Sequence, residues 1–350
     1  MRAAQLLGPG DIRVVDVPGP LAPGPGEVLL RVAIVGICGS DLHTFRYGDI
    51  GDVTVGGPFI PGHEFSAEVL AVGEEARDGP GESLIAGRRV AVDPAASCGC
   101  CDMCRVGNPN LCRDLRFAGL WPEDGALRER AIFPARSCYP LPESLSMEEG
   151  ALLEPLGVAI HAVDLAKVRA GQSVAVLGCG PIGLLIARLC RLAGAGDIFA
   201  SDPVPERLRA AQRWGVDKVI DPRDSDPVET IRSLTGSRGV EVVFEAAWAG
   251  ETAEQAVEIA DSGGRVIFIG IPRDDTLSFR HSAARRKGLT LLMCRRMRHA
   301  YPRAIALALS RVIDLKPLVS HRFPLDRCAE AFVLNADYRD GAMKVIIEVA

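Results

Sequence analysis

Apolar and polar residues alternate along the first part of the chain in short segments broken by Gly and Pro, first over 12–17 and then over 27–35. Period-two stretches bounded by turn residues predict half-buried strands of an antiparallel, barrel-like unit. The pattern then changes. Val174-Ala175-Val176-Leu177 is a continuous apolar run, which predicts a strand buried on both faces of a parallel sheet. Leu184 to Cys190 reads as a helix and Asp197 to Asp202 as a second strand. A helix around 206–214 and strands at 218–220, 240–245, 264–270 and 289–293 continue the strand–helix alternation that a doubly wound sheet requires. Past Met293 the alternation stops; 302–311 and 325–335 predict amphipathic helices, and 343–348 a last strand. The expected fold class is α/β, a β-rich first part followed by a doubly wound parallel sheet.

A length of 350 residues suggests two domains, and 48% hydrophobic content is ample for a core in each. The net charge is −5 and the pI about 5.8, which gives no electrostatic reason to expect nucleic acid or an anionic membrane as partner. The first residues lack the sustained apolar core of a signal peptide. The longest apolar run, 174–187, is too short to span a bilayer. Eleven cysteines is an odd number, and a reduced compartment with metal-bound thiolates fits it better than a disulfide framework. A cytoplasmic location is expected.

Candidate chemistry begins between the first two buried strands of the parallel sheet. Gly178-Cys179-Gly180-Pro181-Ile182-Gly183 lies between a strand and a helix. There Gly178 suits a tight turn, Gly180 the approach of a pyrophosphate, and Gly183 close packing of helix on strand. The phosphates would sit on the free N–H groups at the helix start. Asp202 ends the next strand, placed to accept hydrogen bonds from an adenosine ribose, and its charge favours NAD over NADP.

Three further residues are of the types that hold a catalytic zinc: Cys38, His63 and Glu154. Singly each has a bland reading, as a small buried thiol or an ordinary capping or surface acid. Cys98, Cys101, Cys104 and Cys112 form a C-x2-C-x2-C-x7-C array in a segment rich in Gly, Asn and Pro. That spacing suits a closed four-thiolate zinc holding a lobe with little core of its own, rather than an iron–sulfur cluster or free thiols. Cys100 is left over, and Cys138, Cys179, Cys190, Cys294 and Cys328 have no ligand spacing.

On these residues the chain resembles the zinc-dependent medium-chain alcohol dehydrogenases, and within them the polyol (sorbitol/xylitol) branch. The motifs are Gly36-Ile37-Cys38-Gly39-Ser40-Asp41-Leu42-His43, Gly62-His63-Glu64-Phe65, the four-cysteine lobe, Asp124-Gly125-Ala126-Leu127, the stretch from Glu149 to Leu156, and the Gly178–Gly183 turn. They run collinearly through essentially the whole chain. The resemblance implies a GroES-like catalytic domain over 1–155 with a structural-zinc lobe at 94–116, and a Rossmann NAD-binding domain over 156–293. It further implies return of 294–350 to the catalytic domain and a homotetramer or homodimer. It implies one catalytic and one structural Zn2+ per chain, the first held by Cys38, His63 and one of Glu64 or Glu154 at a time, since both carboxylates with the thiolate would leave a weak Lewis acid. Ser40 is implied to take the alcohol proton, with His43 a candidate to pass it on. Arg207 is implied beside the adenosine, Ile269 at the nicotinamide carboxamide, and Arg295 at the substrate.

The expected reaction is oxidation of a secondary alcohol, within a polyol, sugar alcohol or cyclitol, by NAD. Amino-alcohol oxidation of the L-threonine type is the enzymatic alternative. A non-catalytic NAD-binding protein on the same scaffold is a remote one. Thr44, Met297 and Arg298 depart from the usual polyol-branch residues, so the pocket is expected to differ from that of sorbitol dehydrogenase.

Overall fold

The alternating segments of the N-terminal part become strands close to where the pattern places them. β1 (Arg2–Gly8) and β2 (Asp11–Asp16) pair as an antiparallel hairpin. β3 (Glu27–Gly36) buries Val28, Leu30 and Val32 on alternate positions, as a strand facing a core on one side must. The helix α1 (Gly39–Tyr47) follows two residues later. No apolar stripe announces it. Its start is fastened instead by Asp41, whose carboxylate accepts the Cys38 N–H at 2.9 Å, and it ends at Gly48 in a left-handed conformation (φ 75°). β4 (Glu64–Val72), β5 (Arg89–Val92), β6 (Arg130–Pro134) and β7 (Cys138–Pro140) complete the first part, and α2 (Leu153–Ala166) begins its exit.

Then β8 (Val174–Leu177), α3 (Pro181–Leu192), β9 (Ile198–Ser201), β10 (Lys218–Ile220), β11 (Val240–Glu245), β12 (Ala260–Phe268) and β13 (Thr290–Met293) build a sheet in the order β10-β9-β8-β11-β12-β13. Every neighbouring pair is parallel, and the order reverses between β8 and β11, as in a doubly wound dinucleotide-binding fold. β12 starts four residues before the expected 264, because Ala260 already pairs with Val240 across a register break. The central strands are buried throughout, which is why they read as unbroken apolar runs.

The last part contains α4 (Tyr301–Leu309), β14 (Val319–Pro324), α5 (Cys328–Ala336) and β15 (Lys344–Glu348). β15 joins the N-terminal sheet, whose order is β7-β5-β4-β3-β15-β14 with β6 also paired to β3. The computed structural model describes residues 1–247 and 249–349. They fall into two units, residues 1–155 with those from 298 onward, and residues 156–297.

Candidate active site and metal centres

In the first unit the sheet register brings chemistry together. β3 ends at Gly36, which pairs with Glu64 on one side and Ile346 on the other. Cys38, His63 and Glu64 therefore converge, with one ligand atom from each within 4.8 Å of the others. His63 is 3% and Glu64 1% exposed. Asp41 ties the two segments together: besides the Cys38 N–H it accepts the Gly62 N–H at 3.4 Å, and its Oδ1 lies 3.5 Å from His63 Nδ1. Burial disfavours a charged His63, but the neighbouring Asp41 and Cys38 outweigh it and raise the imidazole pKa well above its usual value. A field that holds an extra proton is one that attracts a cation. The donor set therefore fits a zinc ion.

Ser40, in the first turn of α1, places its Oγ 3.4 Å from His63 Nε2. His43, one turn on, is buried and turns its Nδ1 to the Asp49 carbonyl oxygen at 2.8 Å. Glu154, in the first turn of α2, is 5% exposed, and burial pushes its pKa up to about 8. It lies outside the three-ligand group.

Sequence reading passed over Lys344. Its Nζ lies 2.7 and 2.6 Å from the two Glu64 carboxylate oxygens and donates to the Ile37 carbonyl at 3.1 Å. Burial alone would lower its pKa, but Glu64 and Cys38 raise it. The available signal was a lysine opening the apolar run Val345-Ile346-Ile347, a position where an unpaired charge is rarely tolerated.

The four-cysteine lobe is a second centre. The sulfurs of Cys98, Cys101, Cys104 and Cys112 lie within 4.8 Å of one another, with Cys98 to Cys104 at 4.0 Å and Cys101 to Cys112 at 3.9 Å. Backbone N–H groups of Cys100 and Cys101 pull the Cys98 thiol down to about 6, while burial pushes Cys104 up to about 12. Cys100 is exposed and outside the group.

In the second unit, Gly178 adopts φ 98° and a Cβ there would meet the Ala246 carbonyl oxygen at 2.7 Å. A Cβ at Gly183 would collide with the Gly178 carbonyl oxygen, whereas one at Gly180 would meet nothing within 4 Å. The free space above Gly180 at the start of α3, followed by Pro181 and Ile182, fits a pyrophosphate. Asp202 is 3% exposed, accepts the Cys179 and Val204 N–H groups at 2.8 Å each, and has Arg207 Nη1 3.8 Å away. Ile269 donates its N–H to the Glu245 carbonyl oxygen at 2.8 Å. Arg295 is exposed just beyond β13.

Comparison with known proteins finds a family match in each half of the chain. The family described as Alcohol dehydrogenase GroES-like domain matches residues 24–143, and that described as Zinc-binding dehydrogenase matches 181–310. The sorbitol dehydrogenase of Bacillus subtilis (strain 168) is 33% identical over 347 residues, covering 99% of this chain and 97% of the relative. That of Homo sapiens is 37% identical over 328 residues, covering 93% and 90%. A crystal structure of an alcohol dehydrogenase (rspB) from Escherichia coli CFT073, complexed with NADH, superposes with a TM-score of 0.89 at 27% identity, covering 100% of this chain and 99% of that one.

Proposed function

Because the chain belongs to the zinc-dependent medium-chain alcohol dehydrogenases, we propose that it oxidises a secondary alcohol of a polyol, sugar alcohol or cyclitol to the ketone, reducing NAD. The observation that carries this reading is the convergence of Cys38, His63 and Glu64 beneath Ser40. Zinc supplies Lewis acidity at the alcohol oxygen and NAD accepts the hydride. Cys38 and His63 hold the metal together with one carboxylate at a time, from Glu64 or Glu154. Asp41 fixes the His63 ring and the Cys38 backbone, the supporting role such sites require. Ser40 takes the hydroxyl proton, and His43 is its candidate route outward. Glu154, buried in the first turn of α2, either binds the metal or holds its water.

Gly178, Gly180, Pro181, Ile182 and Gly183 seat the cofactor phosphates, Asp202 and Arg207 the adenosine ribose, and Ile269 the carboxamide. Arg295 is assigned to substrate binding. Cys98, Cys101, Cys104 and Cys112 hold the structural zinc. Sorbitol as the substrate of two relatives supports the polyol class. β13 is the last strand of its sheet and leaves Met293 66% exposed; such an edge supports pairing with a second copy, in a homodimer or homotetramer. Among the described residues no helix is long and apolar enough to cross a membrane, and the cysteine content supports a cytoplasmic setting.

The test is NADH absorbance across polyols, cyclitols, amino alcohols and simple alcohols, before and after chelation. Turnover of a polyol that chelation and Cys38→Ser abolish is expected. Preference for threonine would move the protein to amino-alcohol oxidation, and undiminished turnover in Cys38→Ser would sink the zinc mechanism.

A further inference from the structure

β11 lies between β8 and β12 in the parallel sheet, and its last residue, Glu245, is 2% exposed. A carboxylate there is costly. Burial raises its pKa, because a low-dielectric surrounding disfavours the charged form. The cost is met by specific partners. Oε1 accepts the Ala247 N–H at 2.9 Å and the Thr252 hydroxyl at 2.8 Å. The Glu245 backbone carbonyl accepts the N–H groups of Ile269 and Gly270 at 2.8 and 3.1 Å. One residue thus ties its own loop to the segment that follows β12.

That loop is pressed on both flanks. On one side Ala246 donates its N–H to the Leu177 carbonyl oxygen at 2.8 Å, and a Cβ at Gly178 would meet the Ala246 carbonyl oxygen at 2.7 Å and the Ala247 nitrogen at 3.1 Å. On the other, a Cβ at Gly270 would collide with the Ala247 carbonyl oxygen and meet Glu245 Oε2 at 2.7 Å. Residues 246 and 247 are therefore wedged between the phosphate turn and the segment Ile269-Gly270. The strand order reverses between β8 and β11, and a doubly wound sheet takes its ligand at such a point. A cap for a single loop would need only the Ala247 and Thr252 bonds; the approach of Oε2 to Gly270 brings in the third segment.

We propose that Glu245 is a positioning residue for the cofactor, setting the separation between the turn that seats the pyrophosphate and the segment that meets the carboxamide. The inference rests on the reading of Gly178–Gly183 and Ile269 as cofactor contacts. The two ends are not held alike. The phosphate turn has anchors of its own, the Gly178 N–H on the Ser201 carbonyl oxygen and the Cys179 N–H on Asp202, both at 2.8 Å. The N–H groups of Ile269 and Gly270 run to Glu245. A ligand that reaches both ends therefore senses the carboxylate, and one that reaches only the phosphate end does not.

The test is calorimetric titration of the full chain with NAD and with ADP, which carries the adenosine and the pyrophosphate but no nicotinamide. Glu245→Ala is expected to weaken NAD binding about tenfold or more, the scale of one lost hydrogen bond to a charged group, while ADP affinity stays within about twofold, as for an independent site. Equal loss of both ligands, the mark of a general loosening of this unit, would overturn the proposal, and so would unchanged NAD binding in the folded variant. Should Glu245→Ala not fold, Thr252→Val decides, because it removes a donor that fixes the carboxylate. NAD affinity is then expected to fall about threefold with ADP unchanged; parallel loss, or no loss, refutes the assignment. A wild-type chain that binds neither NAD nor ADP would overturn the cofactor reading itself, an outcome distinct from parallel loss in the variants.

Discussion

Gly180 and Gly183 stand three residues apart and answer to different constraints. At Gly183 the limit is internal, since a side chain would strike the Gly178 carbonyl. At Gly180 the protein itself leaves room, and its backbone is extended (φ −67°, ψ −178°), a conformation any residue adopts. Gly183→Ala is therefore expected to lose about 1–3 kcal/mol of stability through overpacking. Gly180→Ala is expected to keep or slightly gain stability, by up to about 1 kcal/mol, while its NAD affinity falls by about tenfold or more, equivalent to roughly 1.4 kcal/mol. Denaturant titration and calorimetric NAD titration separate the two. Wild-type NAD binding by Gly180→Ala would end the assignment of this turn to phosphate. Both glycines could be picked out from sequence because their spacing is local. Lys344 could not, because its meaning comes from a partner 280 positions away and from a strand register no local pattern encodes.

Elements were legible in proportion to how strongly burial marks them. β8 and β9 are buried on both faces, and their runs identify them. α1 was not, because its buried residues include Asp41, His43 and Thr44 beside Leu42 and Phe45; a helix that encloses a polar site has no clean apolar stripe. α4 buries Tyr301, Ala304 and Ala308 and carries its polar anchor at its start. Tyr301, at its first position, is 1% exposed, donates its hydroxyl to the Val92 carbonyl oxygen on β5 at 2.7 Å, and stacks on Tyr139 at 4.6 Å. Burial raises the pKa of both phenols, that of Tyr139 to about 12. Above about pH 10 the unfolded chain therefore sheds phenolic protons that the folded one keeps, and stability falls as pH rises. Tyr301→Phe is expected to cost about 1–3 kcal/mol at pH 8, the penalty of an unmet buried carbonyl. Its deficit should shrink between pH 9 and 11, because one of the two alkaline titrations is gone. Unfolding curves of both proteins at those pH values check this; a constant deficit would mean that the phenol does not titrate differently on folding.

At the scale of the whole molecule the two units carry separate cores, and the lobe at Cys98–Cys112 belongs wholly to the first. Its thiolates stand in for apolar packing, and a structural zinc contributes folding energy directly. Cys101→Ser is expected to lower the zinc content from two per chain to one and to depress the melting transition of the first unit by several degrees, on the order of 2–4 °C for each kcal/mol lost. NAD affinity should change by less than about twofold, as expected for a remote, independent site. Metal analysis with calorimetry reads the first two, and NAD titration the third; a large loss of NAD affinity would show that the lobe does more than hold its own unit.

The pairing of β15 with β3 also sets an order in time. Gly36 and Ile346 are neighbours in the sheet yet leave the ribosome 310 residues apart, an interval of about 15–60 s at ordinary rates of synthesis. During that interval the second unit, continuous from 156 to 297, can fold as it emerges. The first cannot close its sheet, and an exposed strand edge flanks Cys38 and His63 until β15 emerges. A nascent polypeptide in that state is an open template for misassociation and for capture of the wrong metal ion. Translation speed up to β15, and the chaperones that meet the chain before it, thus become part of how this active site is made.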